Sequence, residues 1–166
     1  MHPQRLRSFD YRGFHRYFLT FCTAARRQVF VTQNHVDAVR TQILRAAAQE
    51  RFEIVAYAFM PDHVHLLIEG LSESSDGSRF IKLAKQLAGY HYQRTFGDRL
   101  WQRYGYEHTL RGDEATIDVV RYIIENPVRA GLVDDVQKYA FLGSTKYGIA
   151  DLIEAVQMGS VWRPTK

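Results

Sequence analysis

His63 and His65 stand two residues apart in the run Ala58-Phe59-Met60-Pro61-Asp62-His63-Val64-His65-Leu66-Leu67-Ile68-Glu69. The run reads as two apolar strands joined at Pro61-Asp62, with the histidines opening the second. Successive side chains of a strand point to opposite faces, so residues two apart share one. His63 and His65 therefore sit side by side, while Val64, Leu66 and Ile68 line the other face. Two imidazoles on one pleat can hold a metal ion in their fork. Taken alone the pair also fits hydrogen-bonded, half-buried histidines, so a third ligand and a reactive group are needed.

The stretch from Asp113 supplies candidates for both. At 100° per residue, Ile117, Val120 and Ile124 cluster on one side of a helix and form its buried stripe. Tyr122 points almost directly away from that stripe, and Asp118 and Asn126 share its face one turn to either side. A surface tyrosine on a polar helix face has the same pattern. Combined with the histidines, Asn126 offers a carbonyl oxygen that completes a mixed N/O set suited to Mg²⁺ or Mn²⁺. Such an ion would polarise a phosphate, and the Tyr122 phenolate could attack its phosphorus. Arg121 and Glu125 have the spacing of a helix-stabilising pair.

The elements that must position these residues follow from periodicity. Phe14 to Thr23 reads as a first strand, about Asn34 to Glu50 as a first helix with Asn34 as its N-cap, and Phe52–Met60 and His63–Glu69 as a hairpin. After the Ser/Gly loop 72–78, Arg79 to about Phe96 reads as a second helix, and Leu100 to Tyr104 as a fourth strand. The third helix runs from Asp113 to about Asn126, where Pro127 ends it. A short helix near Asp151 to Met158 closes the chain. Strand, helix, strand, strand, helix, strand is the order of a ferredoxin-like, RRM-like α+β sandwich with an antiparallel sheet. The first two helices would cover one face, leaving the other for a ligand or for the third helix. One domain over 1–166 is expected, with a basic arm at 1–13 and an appendage at about 149–166.

Composition narrows the partners. The chain of 166 residues carries a formal charge of +4, with 13% aromatic residues, and its cations are mostly arginine. Arginine forks grip phosphate and aromatic rings stack on bases, a combination suited to single-stranded nucleic acid. Candidate phosphate contacts are Arg5, Arg7, Arg12 and Arg16 at the start, Arg79, Lys82 and Lys85 on the second helix, and Arg129 just past the third. Asp62 and His108, the latter in a polar loop, are candidate neighbours of the site. Tyr90, Tyr92, Tyr104 and Tyr106 lack a ligand-type partner at i+4 on a polar helix face and are read as packing or stacking residues. No run reaches the ~18 apolar residues of a membrane span. With Cys22 the only cysteine, no internal disulfide is possible, and a reducing cytoplasm is expected.

Met60-Pro61-Asp62-His63-Val64-His65-Leu66-Leu67 resembles the HUH motif of the single-tyrosine HUH transposases. Leu100-Trp101-Gln102 and Tyr122-Ile123-Ile124-Glu125-Asn126-Pro127-Val128-Arg129-Ala130-Gly131-Leu132 resemble more specifically the REP-associated tyrosine transposases, tied to repetitive extragenic palindromes. The resemblance runs from the first strand to about residue 147. It implies the HUH endonuclease fold, with the catalytic tyrosine on an additional helix. It makes His63, His65 and Asn126 ligands of Mg²⁺ or Mn²⁺, and Tyr122 the nucleophile that takes a 5′-phosphate and frees a 3′-OH. The implied reaction is metal-dependent cleavage and strand transfer of single-stranded DNA hairpins through a 5′-phosphotyrosine. It further implies a nucleoid-associated enzyme, with a monomer favoured over the dimer of the insertion-sequence cousins. Asp62 occupies a position that is often Asn in the family. Two other readings stay open: a non-catalytic single-stranded DNA or RNA binding module that stacks bases on Tyr57 and Phe59, and a water-using metallonuclease.

Overall fold

The computed structural model describes residues 12–104, 106–110 and 113–158. Five strands form one antiparallel sheet: β1 (Arg16–Cys22), β2 (Phe52–Met60), β3 (His63–Gly70), β4 (Tyr106–Leu110) and β5 (Leu142–Gly143). Their spatial order is β4-β1-β3-β2-β5. The first four follow the ferredoxin-like arrangement expected from the order of elements, and β5 adds to the β2 edge.

Alternation on β3 sorts the two layers. Val64, Leu66 and Ile68 join Tyr17, Leu19 and Phe21 of β1 in the larger core, under α1 (Gln33–Glu50) and α2 (Gly77–Phe96). Leu67 belongs to a second core with Val55, Ala56 and Ala58, under α3 (Asp113–Arg129) and α4 (Ile149–Gln157). A bulge between Ile54 and Ala56 lets β2 serve both. The extra residue there keeps Phe52, Ile54, Tyr57 and Phe59 in the first core and moves Val55, Ala56 and Ala58 to the second. Strand β2 thus reads as a nearly unbroken apolar run because both of its faces are covered.

Several expected boundaries move. The cap of α1 is Thr32, not Asn34. Leu100–Tyr104 is not the fourth strand: Leu100 and Trp101 are adjacent yet both are buried in the first core, which alternation along a strand forbids. Trp101 instead wedges its ring against Phe21 and Phe30, at centroid distances of 5.6 and 6.0 Å. The edge strand is Tyr106–Leu110, so His108 lies on β4 opposite Phe18 rather than in a loop.

Helix α3 runs through Pro127 to Arg129. Proline there forfeits one backbone hydrogen bond, but the chain still closes on Gly131, whose φ is 75°. Gly131 N–H donates to the Val128 carbonyl and Leu132 N–H to that of Pro127, both at 3.0 Å. This is a left-handed C-terminal cap, which glycine adopts without a Cβ penalty. The segment expected as an appendage contains α4, which buries Leu152, Ile153 and Val156 in the second core.

Candidate active site on the histidine face of the sheet

His63 and His65 share the α3 side of β3, as their spacing requires. His65 is 5% exposed, and the Nε2 atoms of the two rings face each other at 3.1 Å. Each ring is fixed through its other nitrogen. His63 Nδ1 lies 2.7 Å from Asp62 Oδ1, and His65 Nδ1 lies 2.9 Å from Thr20 Oγ1. Asp62 can only accept, so His63 carries a proton on Nδ1, and in the neutral form of the ring its Nε2 lone pair is free. His65 then donates Nε2–H to that lone pair and takes a hydrogen bond from the Thr20 hydroxyl. The hydroxyl can reverse its role, which would free the second Nε2 as well.

Such a pair suits a divalent ion. Two nitrogens at right angles about an ion with bonds of ~2.1–2.2 Å stand roughly 3.0–3.1 Å apart. The carboxylate and hydroxyl behind the rings are the outer-shell partners that ligating histidines ordinarily have. Burial comes first in holding the His65 pKa down, from 6.5 to about 3, with the charges of His63, Arg129 and Arg26 adding to it. The ring is therefore neutral, the form that binds a metal. Burial works to raise the Asp62 carboxyl, but its hydrogen bonds with His63 and Arg26 and their charges outweigh it and hold the group below its ordinary range.

Tyr122 is 45% exposed, yet its ring does not stand free in solvent. It meets His65 edge-on at a centroid distance of 5.5 Å and Phe18 of β1 at 5.8 Å. The Arg129 guanidinium lies 4.5 Å from the Tyr122 ring centre, donates to the Tyr122 carbonyl and pairs with Glu125 at 3.4 Å. The expected Arg121–Glu125 pair is thereby replaced, and Arg121 turns to Asp118 at 3.3 Å. The buried stripe of α3 is Thr116, Val120, Ile123 and Ile124, with Ile117 half-buried. Asn126 is half-buried one turn beyond Tyr122. Among the described residues no group of three or more His, Cys, Asp and Glu is placed to hold a metal ion.

Other expected contacts fall elsewhere. Lys85 is half-buried with its ammonium 5.3 Å from the Phe21 ring centre, beneath the face that points away from the histidines. Arg79 and Lys82 share that helix, so the basic residues of α2 lie in the opposite layer. Arg16 stitches β1 to its neighbours, through Thr116 at 3.1 Å and Glu69 at 3.3 Å. Arg12 is exposed and bridges to Asp76 through its backbone. Arg5 and Arg7 lie outside the described residues. Conversely, Thr20 and Arg26 carry weight here that their positions in the sequence did not reveal. Thr20 is the polar break in the apolar run of β1, the one signal that could have marked it.

A family model described as "Transposase IS200 like" matches residues 14–126, which spans both histidines, Tyr122 and Asn126. The chain belongs to the IS200-like transposases. Within them it groups with the REP-associated tyrosine transposases. The Escherichia coli K12 member is 30% identical over 128 residues, covering 75% of this chain and 73% of the relative. A Haemophilus influenzae protein of the same description is 28% identical over 137 residues, covering 75% of this chain and 77% of the relative. A solved REP-associated tyrosine transposase bound to a REP hairpin superposes with a TM-score of 0.73 at 23% identity, covering 98% of this chain and 92% of that one. That likeness establishes the transposase fold. Among the described residues no helix is long and apolar enough to cross a membrane.

Proposed function

We propose that this transposase cleaves and rejoins single-stranded DNA at palindromic hairpins through a covalent 5′-phosphotyrosine on Tyr122. The observation that carries the reading is the Tyr122 ring set edge-on to His65, 5.5 Å away, while His65 Nε2 converges with that of His63. A phenol held beside a histidine fork has the parts for attack on a phosphodiester. The relative solved with a REP hairpin supports hairpin DNA as the substrate class.

Tyr122 Oη forms the new O–P bond and loses its proton, and the bond to the 3′ oxygen breaks, releasing a 3′-OH. Attack by a 3′-OH on the phosphotyrosine reverses the step and joins strands without an external energy source. His63, His65 and Asn126 would hold Mg²⁺ or Mn²⁺, which supplies Lewis-acid stabilisation of charge on the phosphate oxygens. Asp62 and Thr20 hold the two rings at the fork, and Phe18 with His65 restricts the tyrosine ring. The Tyr122 ring packs on His65 of its own chain, an arrangement in which a monomer can work.

The base-stacking alternative loses its platform. Tyr57 and Phe59 are 9% and 1% exposed, within the core under α1 and α2. Replacing His63 or His65 by Ala should abolish cleavage of a labelled hairpin in Mn²⁺ while hairpin binding survives. Loss of binding would instead make the histidines structural.

A further inference from the structure

The loop after β1 brings Arg26 to the carboxylate behind His63, beside the fork, and the reading above gives it no role. Arg26 Nε donates to Asp62 Oδ2 at 2.9 Å, and the other oxygen of the same carboxylate takes His63 Nδ1. Nη1 of Arg26 donates to Cys22 Sγ at 2.8 Å, which fixes the guanidinium in two directions. Its side chain is nonetheless 54% exposed, and its Nη2 has no partner among the described residues.

The backbone that aims Arg26 is unusual. Ala25 and Arg26 both have φ of 54°, a left-handed conformation that is strained for a non-glycine residue and persists where surrounding contacts over-determine it. Those contacts are present. Thr23 N–H donates to the Asp62 carbonyl at 2.9 Å, and its hydroxyl donates to the Arg27 carbonyl at 2.7 Å while lying 3.1 Å from the Asp62 carbonyl. Phe30 N–H donates to the Pro61 carbonyl at 2.9 Å. The loop is thus riveted to the hairpin turn that precedes the histidines.

We propose that Arg26 contacts the scissile phosphate, its free Nη2 donating to a non-bridging oxygen beside the histidine fork while Nε steadies Asp62 and through it His63. This rests on the cleavage reading above. A guanidinium needs only one edge for a carboxylate and keeps donors for a second anion. Arg129 stands on the other flank, over Tyr122, so a phosphate at the fork would lie between two fixed cations from different elements. Arg26 then binds phosphate while Tyr122 remains the nucleophile.

The test measures binding without metal or turnover. Tyr122→Phe protein in EDTA is titrated with a fluorescent hairpin oligonucleotide from beside the gene. Its scissile link is either a phosphate or a neutral methylphosphonate. Cleavage of the same oligonucleotide by the wild-type enzyme maps that link and reports separately on the parent reading. Arg26→Ala should weaken binding of the phosphate form roughly ten-fold, the worth of one charge-assisted hydrogen bond, and leave the methylphosphonate form unchanged. The salt slope of binding should fall by about 0.7 for one lost single-strand phosphate contact. Arg26→Lys, which keeps the charge and tolerates the same loop, should retain the salt slope. If Arg26 acts only by holding Asp62, the Asp62→Asn background will erase the effect of Arg26→Ala. Persistence of the phosphate-specific loss in that background supports the direct contact. Equal weakening of both oligonucleotides, or none of either, overturns it.

Discussion

Acid should loosen this fold through His65, by an amount that can be worked from its surroundings. In the unfolded chain its pKa is 6.5, and in the folded chain burial holds it to about 3. Between those values the unfolded state binds a proton that the folded state refuses. Stability therefore rises with pH across that window and is lost as pH falls through it. Integrating from about pH 7.5 to about pH 5 gives a loss of about 2 kcal/mol from this ring. For a chain of this length that is a drop of roughly 4–8 °C in melting temperature. Asp62, whose pKa is lowered, loses its contribution in the same direction but at lower pH. The assay is urea unfolding followed by tryptophan fluorescence in EDTA, for the wild type and for His65→Gln, which cannot titrate. The variant should be less stable at neutral pH yet lose about 2 kcal/mol less between the two pH values. Equal acid losses in both proteins would refute the claim that His65 is held neutral by burial.

Three further outcomes follow from other contacts. Thr20→Val removes the hydroxyl behind His65 and should cut Mn²⁺ affinity about 10–100-fold by calorimetry with little loss of hairpin binding; unchanged affinity would detach Thr20 from the site. Gly70→Ala should lower stability by about 1–3 kcal/mol in urea, because a Cβ there would sit 2.1 Å from the Gly13 carbonyl oxygen and the backbone must shift; a neutral variant would mean that segment yields freely. Leu67→Ala should cost about 2–5 kcal/mol, since Leu67 is fully buried between β2 and α3; a loss under ~1 kcal/mol would indicate that the second core collapses around the gap.

Much of the site was legible because its spacing is set by regular structure. The period of two on β3 put His63 and His65 on one face, and the helical period put Tyr122, Asn126 and Asp118 on another. What periodicity cannot give is which layer a helix joins. The basic residues of α2 looked suited to a DNA strand, but the apolar stripe of that helix packs it beneath the face opposite the histidines. The fourth strand was misplaced because Leu100 and Trp101 have strand-like character and are used to fill a core, while the true edge strand β4 is too polar to advertise itself. The extension of α3 past Pro127 depends on the cap at Gly131, four residues beyond the proline and outside what the proline rule considers. Thr20 and Arg26 escaped notice because their roles arise from pairing between β1 and β3 and from a loop conformation, neither of which has a local pattern.

In the proposed reaction Tyr122 becomes covalently joined to DNA. A 5′- or 3′-labelled hairpin oligonucleotide from beside the gene is incubated with wild-type protein or Tyr122→Phe in Mn²⁺ or Mg²⁺, and the products are separated on denaturing gels. Wild-type protein should give a protein–DNA band that needs the metal, carries the DNA on the 3′ side of the cut and disappears in the variant. Cleavage of equal extent in both proteins, with no covalent band in either, would contradict it and make water the nucleophile.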